Sequence, residues 1–180
     1  IGIFGSYLIG FDIIKDVDFV VYGFQNLMKV YNNLNYIRER VNATPITVEH
    51  IEYQYNKHKD LYNPKCDLKA LISSNIFGMQ LEKGLLSTLR FINKNRCVVP
   101  SIKNSKKEII IGKVTDGLTS AFLPRYAKIL VDEKIYTVYT SKWKFQSFAT
   151  RNKILEIYGY VNHDFKTIVL NEESYIKYKD

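Results

Sequence analysis

Beyond about Val98 the sequence breaks into short β-rich runs separated by turn signals, and this spacing restricts the second half to few folds. The runs are Glu108–Val114, Ala127–Val131, Lys134–Thr140, Ile154–Val161 and Thr167–Leu170, with Asp116-Gly117 and Asn162-His163-Asp164 among the breaks. Strands of this length at this interval predict a small, mostly antiparallel barrel or curled sheet. The lysine- and asparagine-containing stretch from Ile102 to Lys107 is expected to be a connecting loop.

The first half has a different texture. Ile1–Phe4 is a short apolar run stopped by Gly5-Ser6, and Val17–Tyr22 is a second apolar run stopped by Gly23. Both predict strands. Tyr7–Ile9 fits a short helix, and 10–16 a loop. Apolar residues at Leu27, Met28, Val30, Tyr31, Leu34 and Ile37 predict one long amphipathic helix over Phe24–Val41, broken by Thr44-Pro45. Thr47 fits an N-cap for a helix running to about Lys59, with Glu49 in its first turn. Another helix is expected over Pro64–Asn75 and a strand over Ser87–Asn93, while Phe77–Gly84 reads either way. The fold class expected is therefore α+β. Residues 1–97 would form a mixed sheet with helices, and 98–180 a β-rich domain.

The chemistry concentrates near the start. Asp16-Val17-Asp18 opens the second strand, ten residues after Ser6. Side chains at i and i+2 of a strand share a face, so the two carboxylates are set side by side. Carboxylates that close repel unless a cation bridges them, and hard oxygen donors suit Mg²⁺ or Mn²⁺. A Gly-Ser pair ending the neighbouring strand supplies a complement. Glycine admits phosphate close to the backbone, and N–H groups at a following helix start can hold its oxygens. Such a site suits a nucleoside triphosphate with its metal, and in-line attack on the α-phosphate with pyrophosphate leaving.

Gly5-Ser6 followed by Asp16-Val17-Asp18-Phe19-Val20-Val21-Tyr22-Gly23 resembles the Gly-Ser…Asp-x-Asp signature of the DNA polymerase beta-like nucleotidyltransferase superfamily. More narrowly, it is similar to a group of predicted nucleotidyltransferases found mainly in archaea, in which the aspartate strand also runs into Val-Tyr-Gly before a β-rich region. The resemblance is strong over residues 1–23, looser to about residue 95, and weaker around Val114-Thr115-Asp116 and Phe122-Leu123-Pro124. It implies a palm-like fold, Asp16 and Asp18 as catalytic metal ligands, Gly5 and Ser6 as nucleotide contacts, Mg²⁺ or Mn²⁺ as cofactor and an NTP as substrate. Two departures stand out. Lys15 replaces the usual serine, and Leu86–Ile92 holds no third carboxylate; Glu49, Glu52 and Glu82 are the available substitutes.

Charge is uneven. Residues 1–60 carry 6 Lys/Arg and 7 Asp/Glu, net −1, whereas 61–180 carry 20 and 11, net +9. A basic surface attracts polyanions by counterion release, although many basic surfaces are merely solvated. Bases alternate with aromatics at Arg125-Tyr126, Lys142-Trp143-Lys144-Phe145 and Arg151–Lys153. Either these bind RNA, with Arg125, Lys142, Lys144 and Arg151 as contacts, or Trp143 and Phe145 are core residues with the lysines on the opposite side.

Other chemistries lack support. Gly2, Gly5 and Gly10 do not make a dinucleotide fingerprint, and no phosphate-loop motif is present. Cys66 and Cys97 are isolated, and only three histidines occur, which argues against a zinc site and a disulfide scaffold. His50 and His58 read as surface residues of one helix. Without a membrane-length apolar run or a recognisable signal peptide, a cytoplasmic protein with no membrane partner is expected. The first residue is Ile and already belongs to a strand-like run, so an incomplete N-terminus is expected.

Three functions follow as expectations. The first is NMP transfer from an NTP to an acceptor hydroxyl, including an RNA end. The second is a catalytically decayed scaffold that binds nucleic acid. The third is nucleotidylation of a protein or small molecule.

Overall fold

A computed structural model describes residues 2–4, 16–82, 85–93, 98–145, 147–149 and 153–179, with the backbone alone for 2–4, 16, 123 and 143. Gly5, Ser6, the helix expected at 7–9, the loop expected from residue 10 to 15, Cys97 and Arg151 lie outside the described residues. The chain is α+β and divides into two compact units, residues 1–50 with 76–96 and residues 51–75 with 97–180.

The first unit is built on a mixed sheet. Among the described residues its strands are β1 (Gly2–Phe4), β2 (Asp16–Tyr22), β3 (Thr44–Pro45), β4 (Gly78–Gln80) and β5 (Leu86–Ile92), ordered β1-β2-β5-β4-β3. β2 lies between β1, antiparallel to it, and β5, parallel to it along all seven residues. Alternation decides the two faces of β5. Ser87, Leu89 and Phe91 are buried, with Phe91 meeting Phe77 edge-on at 4.6 Å, and Leu86, Thr88, Arg90 and Ile92 occupy the more open face.

Gly23 turns β2 into helix α1 (Phe24–Asn32) with φ of 85°, a conformation that glycine adopts without the Cβ penalty, while its N–H donates to the Ile92 carbonyl at 2.9 Å. The single helix expected over Phe24–Val41 is two, α1 and α2 (Leu34–Arg40), interrupted at Asn33. The Asn33 backbone leaves helical geometry at φ −114°, ψ 16°, and its side-chain amide donates to the Lys29 carbonyl at 2.8 Å. An asparagine that bonds its own backbone competes with helix continuation. The apolar spacing survives the break, with Leu27 and Leu34 both buried, so periodicity alone does not reveal it. Arg38 of α2 donates to the Ile76 carbonyl at 2.6 Å.

Helix α3 (Val48–His58) begins where expected: the His50 N–H donates to the Thr47 hydroxyl at 3.3 Å. The next helix is shorter than 64–75. It is α4 (Leu68–Ser73), capped by Asp67, whose carboxylate accepts from the Ala70 N–H at 3.2 Å. Leu71 packs into the core of the second unit, so 51–75 group with the β-rich part and the first unit is discontinuous in sequence.

The second unit contains a closed five-stranded barrel. Its strands are β6 (Lys106–Asp116), β8 (Arg125–Val131), β9 (Lys134–Thr140), β10 (Ile154–Asn162) and β11 (Thr167–Leu170); β7 (Phe122–Leu123) falls between the first two. The ring runs β6-β8-β9-β11-β10 and back to β6, antiparallel throughout except for β9 with β11. A strand with no counterpart in the sequence reading, β12 (Tyr175–Lys179), pairs with the first half of β10 while β11 takes the second half. The expected loop at 102–107 gives way to β6 at Lys106. Most inward positions are apolar, among them Val114, Ala127, Ile129, Val138, Leu155, Ile157 and Ile168. Phe145, Phe148 and Ala149, from the segment after β9, join that core. There Gly117 passes so near the chain that a Cβ would stand 1.6 Å from the Ala149 carbonyl oxygen. Among the described residues, no helix is long and apolar enough to cross a membrane.

Candidate functional site

The aspartate strand β2 lies inside the sheet of the first unit, and Asp18 has a backbone partner on each side. Phe4, the last described residue of β1, pairs with Asp18. On the other side Asp16 pairs with Leu86, Asp18 with Thr88 and Val20 with Arg90. Paired residues of parallel strands present side chains to the same face, so Asp18, Thr88 and Arg90 share one.

Asp18 is 7% exposed, and its carboxylate accepts a hydrogen bond from the Arg90 guanidinium at 2.9 Å. A carboxylate so far removed from water needs a cation beside it, because uncompensated burial costs several kcal/mol (about 3–5). Arg90 supplies that charge while keeping part of its side chain in solvent. This partner was not recognised in the sequence. The signal was present: Arg90 is the one charged residue in the apolar run Leu86–Ile92, on a strand expected beside the aspartates.

The three glutamates considered as a further carboxylate are engaged elsewhere or exposed. Glu82 accepts from the Asn42 side chain, and Glu52 is ion-paired with Lys69. Glu49 occupies the first turn of α3, where its own backbone N–H and the Thr47 hydroxyl hold its carboxyl below the ordinary range. Among the described residues, no three His, Cys, Asp or Glu side chains gather as a metal cluster. By sequence Asp16 lies two residues before Asp18 on this strand, and carboxylates so spaced are the kind of hard donor that a divalent cation takes.

In the second unit, the basic residues singled out in the sequence are deployed differently from an open basic track. Arg125 is 1% exposed, because β8 turns its odd-numbered positions inward; it is not presented as a surface contact for nucleic acid. Lys142 forms an ion pair with Glu172. Lys144 lies over the rings of Tyr62 and Phe145 and donates to the Glu172 carbonyl at 2.6 Å; burial pulls its pKa below the usual lysine value. Phe145 itself is fully buried. These lysines secure the segment after β9 against the Glu172 turn.

The histidines also separate. His50 and His58 stay on α3, with burial lowering the pKa of each. His163 bridges the Tyr136 hydroxyl at 2.9 Å and the Glu108 carboxylate at 2.8 Å. Burial raises the pKa of the Cys66 thiol, which does not favour a reactive thiolate. No protein-family model, curated protein or solved structure matches this chain.

Proposed function

We propose that the first unit is a metal-dependent nucleotidyltransferase that moves an NMP from an NTP to an acceptor hydroxyl. The observation that carries this reading is the strand neighbourhood of Asp18. A strand opening with Asp-x-Asp runs beside β1, whose described end meets Asp18 just before Gly5-Ser6. That order of parts is the one implied by the resemblance to the polymerase beta-like superfamily.

In this reading Asp16 and Asp18 would hold Mg²⁺ or Mn²⁺, which supplies electrostatic stabilisation of the oxygens around the α-phosphorus. The acceptor oxygen forms a bond to that phosphorus as the bond to the β-phosphate bridging oxygen breaks. Pyrophosphate leaves, and the hydroxyl proton passes to a carboxylate or to water. Arg90, whose guanidinium reaches Asp18, would be a donor for the triphosphate charge. The acceptor classes are an RNA end, a protein and a small molecule.

The test is incubation of the protein with Mg²⁺ or Mn²⁺, each α-labelled NTP, and either an oligoribonucleotide or a cell extract. Label should move to one acceptor and be lost in Asp18→Asn. Absence of transfer with all four nucleotides would count against the reading. A second reading is favoured by the Asp18–Arg90 pair itself: with an arginine already neutralising the aspartate, the unit is a decayed scaffold and the protein binds nucleic acid without transferring a nucleotide.

A further inference from the structure

We infer that the outer surface of strands β8 and β9 is a binding face for single-stranded nucleic acid. This does not rest on the nucleotidyl-transfer reading, and it uses none of the basic residues discussed above.

The alternation that buries Arg125, Ala127, Ile129 and Val131 turns Tyr126, Lys128 and Leu130 outward. On β9 it buries Tyr136, Val138 and Thr140 and turns Ile135, Thr137 and Tyr139 outward. The register joins these into three cross-strand rows: Tyr126 with Tyr139, Lys128 with Thr137, and Leu130 with Ile135. The half-buried tyrosine rings lie 6.3 Å apart and 30° from parallel on the outward side of the two strands. The next strand continues the last row, since Lys113 of β6 pairs with Leu130.

Rings that stack on bases and cations that follow the phosphates are the two requirements for holding an unpaired strand. Both are met on one side of this sheet. Lys113 and Lys128 are exposed and form no ion pair among the described residues, unlike Lys107, Lys142, Lys177 and Lys179. Asp116, whose backbone pairs with Lys128, forms none with it either. The acids Asp132 and Glu133 are confined to the tip of the β8–β9 hairpin and bound the face at that end. The charge of the face thus complements a polyanion. Leu130 and Ile135, 39% and 44% exposed, give the edges of unstacked bases an apolar floor.

The connectivity points the same way. Numbered in chain order, the five ring strands follow the order 1-2-3-5-4, with the third and fifth parallel, the arrangement of an OB-type barrel. In such barrels the face of strands 2 and 3, here β8 and β9, is the side that takes oligonucleotides.

The test uses the full chain and two fluorescein-labelled 12-mers, oligo-uridylate and oligo-thymidylate, followed by anisotropy across a salt series, with a duplex of the same length as competitor. Binding should weaken with salt. Tyr126→Ala/Tyr139→Ala should lose at least about tenfold in affinity, and Tyr126→Phe/Tyr139→Phe, which keeps the rings, should not. Lys113→Glu/Lys128→Glu should lower the slope of log affinity against log salt by roughly 1.4, about 0.7 for each phosphate contact. Preference for one 12-mer identifies RNA or DNA as the ligand. Asp18→Asn should bind as the unaltered protein does, which keeps this result separate from any failure of nucleotide transfer. The inference is overturned if neither 12-mer binds at low salt, if the duplex competes equally, or if both double substitutions leave binding unchanged. It is also overturned if light scattering shows the face joining two copies of the chain.

Discussion

Arg90 on β5 reaches diagonally across a parallel strand pair to place a guanidinium nitrogen 2.9 Å from the carboxylate of Asp18 on β2. The backbone partner of Arg90 is Val20, so the pair spans one two-residue step of the strand. In the proposed site, a divalent cation held by the aspartates would compete with the Arg90 guanidinium for the Asp18 oxygens.

Removing the arginine should therefore have two opposite effects. Arg90→Met removes the arginine partner of a nearly buried carboxylate. It should destabilise the first unit by roughly 1–3 kcal/mol, less than a fully buried pair because Arg90 is partly solvated. The same variant should bind Mn²⁺ about tenfold more tightly, as expected when a competing charge is removed at short range. Asp18→Asn should weaken Mn²⁺ by about tenfold or more, the scale set by losing a ligand's support. Urea unfolding and Mn²⁺ electron paramagnetic resonance measure the two effects. Equal Mn²⁺ affinity in all three proteins would show that Asp18 is not a ligand.

Gly117→Ala should be among the most disruptive small changes in the second unit. The added methyl would meet the Ala149 carbonyl oxygen at 1.6 Å and the Val114 side chain at 3.0 Å, and the first of these is backbone. Overpacking of this kind costs about 3 kcal/mol or more when neither side can yield. The urea midpoint should drop accordingly; an unchanged midpoint would mean that the two segments separate freely.

Glu156 makes a pH-dependent contribution to the barrel. Its carboxylate accepts from Lys179 at 2.7 Å and Tyr175 at 3.2 Å, and lies 3.7 Å from Lys177. The hydrogen bond from Lys179 is the main cause of a pKa lowered from 4.5, assisted by Tyr175 and Lys177. A carboxylate depressed in the folded state stabilises above its unfolded pKa, and that contribution disappears as pH falls through the folded value. Thermal midpoints measured from neutral pH to about pH 3 should decline below the ordinary carboxylate range, and the decline should be shallower in Glu156→Gln.

Asp67→Ala should cost about 1 kcal/mol through loss of the α4 cap. The Ala70 N–H would lose its acceptor, while the Asp67 N–H would still donate to Ile176 at 3.0 Å. Asp67→Asn should restore most of the loss. Guanidinium unfolding of the two variants distinguishes capping from charge.

Much of the β-rich half is written locally. Apolar residues at alternate positions of 125–131, 134–140 and 154–161 specify strands whatever surrounds them, and their inward members are the ones buried. Local pattern did not distinguish one helix from two at Asn33, because the apolar spacing runs through the break. It also did not reveal β12, where Tyr175–Lys179 mixes tyrosine and lysine and becomes a strand by pairing with β10. Which side chain meets Asp18 was decided by register between strands about seventy residues apart. Arg125, basic and beside a tyrosine, reads as a surface contact along the chain, yet closure of the barrel buries it and turns Tyr126 out. Strand period is a property of neighbouring residues, whereas register and closure are set by contacts between distant ones, and here those contacts decide which charges pair and which remain on the surface.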